Sequence, residues 1–112
     1  VVLSEHDVVQ PDILLIQERH KSIIKAQNVK GSPDICIEIL SPATLDRDLE
    51  AKRRIYLRYG VLEYWIVDPE AKTIEVLQAG REAFEAYRIF KEGIPLSTPL
   101  VPDLELDLSK VF

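Results

Sequence analysis

Two periodicities organise the apolar and polar positions of this chain. Ile35 to Leu40 is an apolar run interrupted only by Glu38. Turn chemistry bounds it on both sides, Gly31-Ser32-Pro33-Asp34 before and Ser41-Pro42 after, so it predicts a well-buried strand. Val8 to Ile16 predicts an earlier strand, interrupted by Pro11, whose missing N–H belongs on an edge or at a bulge. Between them, Glu18 to Val29 is polar apart from Ile23, Ile24 and Val29 and predicts a loop or a short helical turn. Ala43 to Tyr59 predicts a helix. Thr44 can cap its start, and Asp46 and Asp48 suit the positive end of the helix dipole. Lys52, Arg53, Arg54 and Arg58 fall towards the negative end, and Gly60 supplies the left-handed stop.

Glu63 to Val67, aromatic and β-branched, predicts another strand, closed by Asp68-Pro69. Thr73 to Gln78 pairs with Phe84 to Phe90 across Ala79-Gly80-Arg81. Pro95, Pro99 and Pro102 predict a mostly irregular remainder, in which Leu104 to Leu108 alternates and docks as a last strand or against an edge. Strand, strand, helix, strand and then a β tail imply an α/β fold bordering on α+β. The expectation is a mixed β-sheet with a packed helix, in a single domain spanning residues 1–112.

Composition narrows the function classes. The chain is 46% hydrophobic and 29% charged, which suits one globular core rather than a disordered tail. Its apolar runs fall far short of the roughly 20 residues of a membrane span. No basic segment followed by an apolar one opens the sequence. Cys36 is the single cysteine, which excludes an internal disulfide and a cysteine-rich zinc site. A cytoplasmic location is the expectation that follows. A net charge of −5 argues against a protein that coats nucleic acid by basic charge alone.

Chemistry concentrates in three residues. Strand periodicity sets Cys36, Glu38 and Leu40 on one face, where a carboxylate among apolar neighbours needs a partner or a metal. The alternative is an edge-strand glutamate pointing to water. Asp12 shares parity with Leu14 and Ile16 and is expected at the mouth of the sheet; the alternative is a turn aspartate after proline. At about 100° per residue, Leu45, Leu49, Lys52, Tyr56 and Tyr59 form a stripe roughly 80° wide. Lys52 sits near its centre, so it faces inward and wants an acidic partner, with Glu38 the nearest candidate. Asp48 lies at the rim of the stripe, and its spacing from Lys52 also fits an ordinary helix-surface ion pair. Ser41 could orient Asp48, although capping or turn formation is the simpler role. His6 reads as a solvated loop residue, and Tyr64 and Trp65 as core.

Two carboxylates and a lysine can serve phosphodiester hydrolysis. Asp12 and Glu38 would supply oxygen ligands to Mg²⁺ or Mn²⁺, and Lys52 would position water or stabilise developing negative charge.

The same residues carry a family resemblance. Pro11-Asp12, then Gly31-Ser32-Pro33-Asp34 leading into Ile37-Glu38-Ile39-Leu40-Ser41-Pro42, then Asp48, Lys52 and Tyr56, then Gly60 to Pro69, resemble the Uma-type "putative restriction endonuclease" family of the PD-(D/E)XK nuclease superfamily. The resemblance covers nearly the whole chain. It implies a restriction-endonuclease-like fold, Asp12 as the signature aspartate and Glu38 as its second acidic position. The signature expects lysine two residues after that glutamate, where this chain has Leu40; the family's lysine then comes from the helix, as Lys52. The superfamily's first helix and strand, with a further acidic residue, would lie before Val1.

Together these readings predict a metal-dependent endonuclease acting on DNA, with no membrane association, as a homodimer. The alternatives are a nuclease-fold interaction module without chemistry, and a phosphodiesterase acting on another phosphate compound.

Overall fold

The computed structural model describes residues 1–4, 11–41, 46–108 and 111. Five strands form one sheet in chain order: β1 (Ile13–Leu15), β2 (Ile35–Ile39), β3 (Glu63–Asp68), β4 (Thr73–Ala79) and β5 (Phe84–Lys91). Only β2 and β3 are parallel, joined by the crossover helix α1 (Asp46–Arg58); the other neighbours run antiparallel. The architecture is therefore a mixed sheet with a helix on it, α+β in class. Val8 to Gln10 and residues 42–45, which carry the expected strand and helix starts, lie outside the described residues, as does His6.

The β2–β3 pair is central because both faces of the sheet are covered there, and its sequence is accordingly apolar on both parities. On one face Cys36, Tyr64, Ile66, Leu77 and Phe84 pack under Tyr56 and Val61, with Leu49 and Leu57 at the margin. On the other, Ile35, Ile37, Trp65, Val67, Ile74, Val76 and Phe90 pack under Leu96 and Leu108. Phe84 and Phe90, six residues apart, would share a face in a regular strand. An irregular register between Val76 and Leu77 leaves Tyr87 as an extra residue in β5, and the two rings serve opposite faces.

The proline-rich remainder is more ordered than its composition predicts. Strands β6 (Leu96–Thr98) and β7 (Val101–Leu106) pair as a two-stranded ribbon that includes Pro102. A ribbon of two strands has an unpaired side on each, so a residue without a backbone donor is tolerated. Leu106 thus pairs with Leu96 and Val101 with Thr98, and the ribbon covers a sheet face instead of extending the sheet edge.

The polar connection after β1 contains a 3₁₀ helix, Glu18–Ile23. Gly60 stops α1 at φ 85°, the left-handed conformation that glycine adopts without strain. Gly31 has φ 135°, and a side chain there would meet Ile23 at 2.8 Å.

Candidate active site

Glu38 lies in the middle of the helix-bearing face of β2 and is 4% exposed, although it carries a carboxylate. Burial at that depth is unfavourable unless donors replace water. Two residues of α1, one turn apart, provide them. The Lys52 ammonium donates to Glu38 Oε2 at 3.1 Å, and the Tyr56 hydroxyl donates to Oε1 at 2.7 Å. The inward position of Lys52 on the helical stripe is therefore real. Its side chain remains 35% exposed, so the ammonium reaches from solvent towards the carboxylate.

Asp12 approaches from the neighbouring strand. The β1–β2 register pairs Ile13 with Ile37 and Leu14 with Cys36, and one further step sets Asp12 across from Glu38. Asp12 Oδ2 accepts the Ile39 N–H at 2.8 Å, which brings its carboxylate to the backbone beside Glu38. Its parity predicts an inward side chain, yet it is exposed. The reason is that β1 is a three-residue strand at the sheet edge and Asp12 precedes it in a bend.

Two tyrosines line the site, Tyr56 from α1 and Tyr64 from β3. Tyr56 and Tyr64 meet edge to face, with centroids 5.4 Å apart. Burial, and then the hydrogen bond to Glu38 and its charge, push the Tyr56 hydroxyl well above the usual phenol range. Burial raises Tyr64 as well, followed by the Glu38 charge; Asp12 adds to the rise and the Arg53 guanidinium opposes it. Tyr64 thus senses both carboxylates and a cation. Among the described residues its hydroxyl, like the Nε of Arg53, is buried with no hydrogen-bond partner. Beside them the Cys36 thiol is pushed up to about 12, first by burial and then by the Glu38 charge.

Of the other residues expected near this site, Ser41 is exposed just beyond β2, and the side chain of Asp48 lies outside the described residues. Among the described residues no cluster of three or more histidine, cysteine, aspartate or glutamate side chains could hold a metal ion. Asp12, just before β1, and Glu38, on β2, remain as two hard oxygen donors. That donor set suits Mg²⁺, which takes one or two carboxylates and completes its shell with water and phosphate oxygens.

Sequence reasoning missed three things here. Tyr56 reads as a packing residue, although its place one turn after Lys52 is a visible signal. Glu63 is 1% exposed on the opposite face and accepts from Trp65 Nε1 at 2.9 Å, Gln78 Nε2 at 3.4 Å and Thr98 Oγ1 at 2.5 Å. Its alternation with Trp65 and Val67 marks it as inward. Asp34 reads as turn chemistry but is 4% exposed, accepting from the Gln17 N–H at 2.7 Å and His20 Nδ1 at 2.8 Å. No local signal announces a partner so distant in sequence.

A family model described as "Putative restriction endonuclease" (Uma2) matches residues 1–109. The chain belongs to the Uma2 family. Its fold is similar to the crystal structure of "a putative nuclease belonging to DUF820" from Anabaena variabilis ATCC 29413, with a TM-score of 0.61 and 24% sequence identity. The likeness covers 80% of this chain and 52% of that one, so the chain spans about half the length of that structure. At this identity the likeness speaks for the fold alone. No curated protein matches the chain. The family match and the likeness to that structure agree on a nuclease-type fold, and no described helix is long and apolar enough to cross a membrane.

Proposed function

We propose that this Uma2 domain is a metal-dependent endonuclease that hydrolyses DNA phosphodiester bonds, with Asp12, Glu38 and Lys52 as its catalytic residues. The observation that carries the reading is the buried Glu38 carboxylate gripped by Lys52 and Tyr56, with the Asp12 carboxylate bonded to the next backbone N–H. Asp12 and Glu38 would hold Mg²⁺ or Mn²⁺, which when bound supplies Lewis acidity and a water of lowered pKa. Lys52 places a positive charge beside the carboxylate, where negative charge develops on the phosphate oxygens. Tyr56 fixes the Glu38 rotamer from α1 above it. The Tyr64 hydroxyl, without a partner among the described residues, offers one more polar contact to a water in the same site.

A second reading, a nuclease-fold interaction module without chemistry, is favoured by the fact that both Glu38 oxygens already have donors. Mn²⁺ titration by calorimetry, with plasmid cleavage by the wild type and Glu38→Gln, separates the two. The nuclease reading requires metal binding and cleavage that both fail in Glu38→Gln. Cleavage of a small phosphodiester with plasmid left intact would assign another phosphate substrate. Double-strand cutting also calls for two sites, so we propose a homodimer, to be checked by sedimentation at micromolar concentration.

A further inference from the structure

The acidic balance of the chain conceals a local reversal. Residues 18–30 carry Arg19, Lys21, Lys25 and Lys30 against a single acidic side chain, Glu18, in a chain of net charge −5. These basic residues are exposed. Lys21 is paired with Glu18 at 2.9 Å, whereas among the described residues the ammonium groups of Lys25 and Lys30 have no ion-pair partner.

The segment is polar but held in shape by its backbone. The Lys25 N–H donates to Asn28 O, the Lys30 N–H to Ile23 O and the Gly31 N–H to Val2 O, and Ile24 bridges Val29. Lys25 and Lys30, with Gln27 and Asn28, line one recess; Arg19, His20, Ser22 and Ser32 line another. His20 is not a wandering surface side chain. Its Nδ1–H donates to the buried Asp34 carboxylate, while the side chain stays 44% exposed. Binding one ring nitrogen to a buried acceptor fixes the ring and leaves the other nitrogen on the opposite edge.

We propose that residues 18–30 form a phosphate-contact surface for duplex nucleic acid, with Lys25 and Lys30 on one side and His20, oriented by Asp34, on the other. The proposal deepens the nuclease reading and rests on it for the identity of the ligand. Asp34 immediately precedes β2 and Glu38 lies four residues further along the chain, so the two positions are about 13 Å apart. That is close to four base-pair rises of a duplex, whose phosphates present a dense row of negative charge. A strand cut at Glu38 would carry its flanking phosphates towards His20, the near side of the basic segment, and this surface offsets the repulsion from the acidic remainder. Its large exposed apolar side chain is Ile24, too little to seat the segment in a lipid surface.

The test is fluorescence anisotropy with a labelled 20-base-pair duplex in EDTA, over a series of salt concentrations. Neutralising a phosphate contributes about 0.9 to the slope of log affinity against log salt. The Lys25→Ala/Lys30→Ala double variant should bind more weakly, with a slope shallower by about 2. His20→Gln should weaken binding several-fold. Asp12→Asn and Glu38→Gln should bind at least as tightly as wild type, so loss of cleavage and loss of the surface are read separately. A wild-type protein that binds with this slope but never cuts DNA would refute the nuclease reading and leave the surface standing. An unchanged slope in the double lysine variant, with a native circular dichroism spectrum, overturns the proposal. So does a wild type that ignores the duplex but binds phosphatidylserine vesicles through the same lysines.

Discussion

Tyr56 and Glu38 are joined by a buried hydrogen bond of 2.7 Å between a helix and the strand beneath it. The bond has two consequences. It satisfies one oxygen of a carboxylate shut away from water, and it fixes the rotamer that Glu38 presents to Asp12 and Lys52. Tyr56→Phe removes the donor while keeping the ring and its contact with Tyr64. The stranded acceptor should cost about 1–3 kcal/mol, seen as a lower urea midpoint with an unchanged slope. A variant as stable as wild type would show that Glu38 finds another donor.

Tyr64→Phe should behave in the opposite way. Its hydroxyl is buried without a partner among the described residues, so removing it deletes an unsatisfied polar group and no hydrogen bond to them. Thermal stability should hold or rise. A fall in plasmid cleavage without a fall in stability would place the hydroxyl in contact with water or substrate. A fall in stability would mean that it has a hidden structural partner.

Lys52→Met tests the charge beside Glu38. The methionine retains most of the aliphatic stem and loses the ammonium that donates at 3.1 Å. If Lys52 stabilises the transition state, kcat for DNA cleavage should fall by roughly 10²–10³, the scale of a lost electrostatic contact in an active site. An unchanged kcat would remove Lys52 from the mechanism.

Alkaline pH should weaken the fold through the helix-facing core. The folded chain holds the Cys36 proton up to about 12, against an ordinary value of 9.0, and the Tyr56 and Tyr64 hydroxyls are shifted upward as well. Above pH 9 the unfolded chain releases protons that the folded chain keeps. The folded state then binds more protons, and unfolding free energy falls as pH rises. The contribution is intact below pH 9 and is lost towards pH 12. Urea midpoints should drop between pH 8 and pH 10.5, and less steeply in Cys36→Val. In the native protein at pH 8 the thiol should resist a disulfide reagent, reacting only as fast as the fold opens.

The ribbon of β6 and β7 is tied to the sheet by a buried carboxylate as well as by its apolar packing. Thr98 donates to Glu63, which lies in the sheet below and also accepts from Trp65 and Gln78. Thr98→Val keeps the shape and withdraws a donor from a buried carboxylate, at a cost of about 1–3 kcal/mol. Amide exchange should speed up in residues 96–106 before it does in β2 and β3. Uniform acceleration across the whole domain would show that the ribbon and sheet open as one unit.

How much of this was written in the sequence depends on the range of the forces involved. The strand at Ile35, the helix ending at Gly60 and the β4–β5 hairpin follow from local periodicity and turn chemistry, which neighbouring residues encode. The inward direction of Lys52 was legible too, because a helical stripe is a local property with a fixed angle per residue. Glu38 needed a partner on physical grounds alone, so its pairing with the following helix could be inferred. The sequence could not determine which group would provide the second donor, because that depends on how α1 sits on β2. The proline-rich end reads as irregular since its order comes from burying Leu96 and Leu108 on a distant face. Glu63 with Thr98, and Asp34 with His20, are tertiary in the same sense. Each buries a carboxylate against a partner 35 or 14 residues away, and only the closing of the chain decides which donors arrive. Local propensity fixes the elements and the direction of their faces, while long-range packing selects the partners of each buried charge.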